Sequence, residues 1–131
     1  MTSRETPAPP SFAPREQSPV RVPDALAPLF AHHPEALPLL QQARVGLQTL
    51  SGLPDVQVEM VTLAALLALG APAEAFHAHT VRARELGLSE DEIWGVFEAL
   101  AVIVGIPRLV AAVPSVAAAL EAVRSEGASD D

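Results

Sequence analysis

The chain has 131 residues, with eight Arg and no Lys against sixteen Asp plus Glu, and a formal charge of -8. That balance argues against a nucleic-acid binder, which needs a basic face to displace counterions from phosphate. It also disfavours an anionic membrane surface, and no uninterrupted apolar run reaches the roughly 20 residues of a bilayer span. With no cysteine there is no disulfide, thiolate metal site or thiol nucleophile. Half the residues are apolar but only 4% are aromatic, so the core is expected to be built from Ala, Leu and Val.

Residues 1–23 hold six of the thirteen prolines among Ser, Thr and charged side chains. Without apolar periodicity such a segment cannot offset its ordering entropy, and it reads as a disordered arm. It has no apolar stretch like a secretory signal, and Glu5 and Glu16 do not suit an organelle transit peptide. The expected compartment is the cytoplasm. Residues 24–124 form the expected folded unit, and 125–131 a polar tail.

Within that unit Pro and Gly punctuate helical apolar patterns, and no stretch alternates like a half-buried strand. Asp24 is placed to cap a short helix through Phe30, and Pro34 opens a second that runs toward Gly52. Asp55 caps a third over Val56–Leu69, stopped by Gly70. Pro72 opens a fourth to Leu86, ended by Gly87. Ser89 with Glu92 makes a capping box for a fifth over Glu90–Val104, before Gly105. Pro107 opens the last, which Pro114 is expected to kink or split. The fold class is all-α, a bundle of about six helices.

The third helix, VQVEMVTLAALLAL, is apolar nearly all round and is expected to be central, covered on most faces. Glu59 is its one charge after Asp55, and a carboxylate there has to be hydrogen-bonded, paired or protonated. It also lies close enough to the helix N-terminus for the dipole and solvent to satisfy it. On the fourth helix His77 and His79 are two residues apart, about 200° around the axis, and cannot share a face. His79 falls on the apolar stripe with Ala75, Phe76, Ala83 and Leu86 and points into the core, whereas His77 falls on the polar side with Glu74 and Arg84. A histidine on an apolar face is more often a satisfied core residue than a catalyst. Neither that pair nor His32 and His33 has the i, i+4 spacing of a helical zinc site. No metal and no cofactor is expected.

The stretches EMVTLAALLALG, HTVRARELGLSEDEI and GIP resemble the carboxymuconolactone decarboxylase family, which includes the alkylhydroperoxidase D type. The resemblance covers about residues 56–112. Its more specific elements are Glu59, His79 eight residues before Gly87, the LSEDEI helix start, and Gly105-Ile106-Pro107. It implies an all-α domain that assembles with itself as a trimer or hexamer, with the active site near the subunit boundary. It implies catalytic roles for Glu59 and His79, and His77 remains a second candidate for the histidine. The peroxidase branch places two cysteines before that histidine, and the positions seven and four residues before His79 are Pro72 and Ala75. Thiol peroxidase chemistry therefore does not transfer.

The decarboxylase branch implies a lyase that needs neither cofactor nor thiol and acts on a small organic acid. Loss of carbon dioxide from a lactone or keto acid leaves an electron-rich carbon to be protonated, work suited to a histidine, while an arginine orients the carboxylate. Arg44, Arg82 and Arg108 are the candidates for the second role. Val58 stands where such decarboxylases tend to have Arg, and His77-Ala78 alters the approach to His79. The alternatives are a non-catalytic helical binding or assembly module and, less favoured, a hydroperoxidase relative that borrows a partner's thiol.

Overall fold

The computed structural model describes residues 26–129, so the arm at 1–23, the Asp24 cap and residues 130–131 lie outside it. Six helices and no strand occur among the described residues: α1 (Ala27–His32), α2 (Ala36–Leu50), α3 (Asp55–Leu69), α4 (Ala73–Glu85), α5 (Glu90–Val104) and α6 (Ile106–Ser129). The chain divides into two compact units, one ending at Leu50 and the other starting at Ser51.

In the first unit α1 runs two residues beyond the expected Phe30 and is closed by the His33 N–H donating to the Leu29 carbonyl at 3.1 Å. Neither α1 nor α2 has a buried residue. Leu39, Leu40, Leu47 and Leu50 along α2 are all more than half exposed.

The second unit holds the core. α4 packs most extensively along α6, and α3 lies against both α4 and α5. Leu63 and Leu67 from α3 meet Phe76 and Ala83 from α4, Ile93, Val96 and Phe97 from α5, and Ala112, Val116 and Leu120 from α6. Phe97 has two aromatic neighbours, with ring centroids 6.2 Å from Phe76 and 6.0 Å from Trp94. Most of the rest of the core is aliphatic, as the composition requires.

Local chemistry explains the helix ends. The capping box is present in full: the Glu92 N–H donates to Ser89 Oγ at 3.0 Å, and the Ser89 N–H donates to Glu92 Oε1 at 3.2 Å. Two terminal donors are thereby satisfied by side chains. α3 begins differently from the expectation, because Pro54 occupies the cap position and Asp55 is the first helical residue. There its charge favours the positive end of the helix dipole. Gly70 ends α3 at φ 67°, and the Arg108 guanidinium lies so close over it that a Cβ would collide.

α3 also departs from the fully covered helix its composition implies. One face is buried, through Glu59, Leu63 and Leu67 at successive i, i+4 positions, while Val61 and Leu69 are exposed. An apolar surface on a helix of this single chain therefore remains uncovered.

α6 runs as one helix through Pro114 and past residue 124 to Ser129. Proline removes the N–H that would meet the Val110 carbonyl four residues back. Val110 is exposed, so water can take that place, while Ala112 and Val116 are anchored in the core on either side. The exposed Arg124 guanidinium donates to Glu90 at 2.7 Å and Glu121 at 2.9 Å, tying the extended end to the start of α5. α6 is long and apolar enough to cross a membrane by length and composition, but its Ala112, Val116, Ala119 and Leu120 are core residues here.

Candidate functional site

The buried stripe of α3 begins with a charge. Glu59 takes the first of three positions, 59, 63 and 67, that the helical repeat turns inward, and its side chain is only 2% exposed. Burying a carboxylate costs several kcal/mol or more unless it is paired and hydrogen-bonded. Both of its oxygens are engaged. Oε2 lies 3.0 Å from His79 Nδ1, and Oε1 accepts from Arg82 Nε at 2.9 Å.

Both partners come from α4, three residues apart, a spacing that puts two side chains side by side on one helix flank. Their exposures differ from that of Glu59: 25% for His79 and 45% for Arg82. The carboxylate thus sits inside, with the imidazole and guanidinium reaching from it toward the surface. His79 accordingly lies at the edge of the core rather than within it. The fully buried positions of α4 are Phe76, Thr80 and Ala83, and Thr80 was not among the stripe residues expected from the pattern. Thr80 Oγ1 has no hydrogen-bond partner among the described residues.

Of the two histidines on α4, His79 meets Glu59, while His77 is exposed. The three arginines separate as well. Arg82 commits its Nε to Glu59. Arg108 packs over Gly70 at the end of α3. Arg44 lies on α2, in the first unit. Arg84, between these in sequence, is structural: its Nη1 donates to the Leu88 carbonyl and closes the turn after α4. His32 and His33 are exposed, with ring centroids 4.4 Å apart, and no group of three metal-ligating side chains gathers among the described residues.

The Arg82 contact was missed by sequence reasoning, which weighed that residue only as a substrate ligand. The available signal was its i+3 relation to His79: if one reaches Glu59, the other is within reach of the same carboxylate.

The family model for carboxymuconolactone decarboxylase matches residues 34–123, more than two-thirds of the chain. The chain belongs to the carboxymuconolactone decarboxylase family. The matched region contains Glu59, His79 and Arg82, and this member has no cysteine. No curated protein and no solved structure matches the chain.

Proposed function

We propose that this carboxymuconolactone decarboxylase family protein is a cofactor-free enzyme that moves a proton on, or decarboxylates, a small organic acid of the lactone or keto class. His79 is the group that carries the proton. The observation that carries this reading is the 3.0 Å contact between His79 Nδ1 and a carboxylate that is almost wholly buried. A carboxylate on one imidazole nitrogen orients the ring and leaves the other nitrogen for chemistry. The His79 side chain is one-quarter exposed, so it is not sealed inside the core. Arg82 and Arg108 remain available as groups that could orient a substrate carboxylate.

The enzyme is proposed to work as a trimer or hexamer. Val102 and Ile103 at the end of α5, and Ile106 and Val110 at the start of α6, are 67–94% exposed. Exposed apolar side chains gathered at one helix junction call for a cover, and a second copy of the chain is proposed to supply it. The proposed setting is cytoplasmic.

A second reading is favoured by one observation: both Glu59 oxygens are already satisfied within the chain. In that reading the cluster is a structural pair in a non-catalytic assembly module. Carbon dioxide release from small lactone and keto acids, measured for the native chain, Glu59→Gln and His79→Gln beside their thermal unfolding, separates the two. The enzyme reading expects turnover to vanish in variants that unfold near the native midpoint. A large fall in midpoint, with any activity merely tracking the folded fraction, supports the structural reading.

A further inference from the structure

Arg82 lies where it can act on His79 through a shared carboxylate. Glu59 is 2% exposed and stands between them, one oxygen on Arg82 Nε and the other on His79 Nδ1. Guanidinium stays protonated throughout the accessible pH range and can only donate. The oxygen facing Arg82 must therefore accept, and the 2.9 Å ion pair supplies the counter-charge that a buried carboxylate needs. An ionised carboxylate has no proton to give, so at the second oxygen the proton belongs to His79 Nδ1. In a neutral imidazole that leaves Nε2 bare.

We propose that Arg82 is a positioning residue that, through Glu59, holds His79 in the Nδ1–H form, so that the resting site takes a proton at Nε2 before it gives one. This deepens the proposed function and rests on its assignment of proton transfer to His79. It narrows the chemistry. A bare Nε2 cannot deliver the first proton, so the cycle opens on a substrate with a removable proton, such as a C–H beside a carbonyl. That C–H bond breaks, its electron pair stays on the substrate as an enolate, and the proton moves to Nε2. The resulting imidazolium keeps its Nδ1–H on Glu59, and Nε2 later returns the proton to the substrate carbon that has become electron-rich.

Without Arg82 the balance changes. The buried carboxylate then has two routes to neutrality: to take up a proton and donate it to Nδ1, which moves the imidazole proton to Nε2, or to pair with a doubly protonated imidazolium. Both place a proton on Nε2.

The test is the nitrogen-15 spectrum of His79 in the full chain at mildly alkaline pH without substrate, with its signals assigned by their loss in His79→Gln. The native chain is expected to show a protonated Nδ1 and an unprotonated Nε2. Arg82→Met is expected to move a proton onto Nε2, and Arg82→Lys, which keeps the charge, to restore the native pattern. A native spectrum with Nε2 protonated overturns the proposal, as does a folded Arg82→Met that keeps the native pattern. An Arg82→Lys that behaves like Arg82→Met also overturns it, by showing that charge is not what acts. Should Arg82→Met fail to fold, the native and Arg82→Lys spectra still decide. The spectrum is read without turnover, so loss of the enzyme reading and loss of this one are distinguishable.

Discussion

α2 and α5 are both fifteen residues long and both carry apolar side chains at helical spacing, yet they end in opposite states. α5 buries Ile93, Val96 and Phe97. α2 buries nothing, and four of its leucines are more than half exposed. Apolar residues at the right period make a helix eligible for a core; they do not supply the surface that closes over it. α5 finds that surface in α3 and α6. The leucines of α2 find none within their own unit, and the oligomer proposed above would offer one.

The sharpest break of this comparison is Phe97→Ala. Phe97 is 3% exposed and packs near the rings of Phe76 and Trp94, so its truncation should cost about 3–5 kcal/mol. Chemical denaturation measures it. A loss below about 1 kcal/mol would mean that the second unit is not packed as described.

α5 also shows why some of the fold was legible in the sequence. Its limits, Glu90–Val104, match the expectation, because the capping box is a local device set by Ser89 and Glu92. Gly70 and Gly105 likewise ended helices where they were expected to. The differences lie where the outcome depends on distant residues or on water. That α6 is not split at Pro114 depends on core contacts at Ala112 and Val116, and the single buried face of α3 depends on which neighbours this chain brings. The site followed the same division. Glu59 stood out as a lone charge in an apolar helix and had to find a partner, but that it would find two, the second being Arg82, required the packing of α3 on α4.

The capping box gives the next effect. Ser89→Ala removes the acceptor for the Glu92 N–H and should cost about 1 kcal/mol, read as a lower unfolding midpoint with an unchanged denaturant slope.

Glu59→Gln should cost less than its burial implies. Removing one member of a buried ion pair is expensive when the other is left buried, about 3–5 kcal/mol, but here Arg82 is 45% exposed and can turn to water. The change in stability should stay within about 1 kcal/mol. A loss of about 3 kcal/mol or more would mark the cluster as structural.

Smallest of all is Leu47→Ala on α2, where a side chain 68% exposed should change the stability of a dilute monomer by less than about 0.5 kcal/mol. A shift in oligomeric state by light scattering at unchanged monomer stability is the expected sign of a covering copy. A loss comparable to that of Phe97→Ala in the monomer would show α2 to be part of a core after all.

The central claim is that His79 moves protons, and deuterium exchange reads this directly. The native chain is incubated in heavy water with small lactone and keto acids, and proton magnetic resonance follows deuterium entering the position beside the carbonyl. Enzyme-dependent incorporation that disappears in folded His79→Gln and persists in folded His77→Gln is the result expected. Incorporation no faster than in buffer, or equal in the native and His79→Gln proteins, would contradict it.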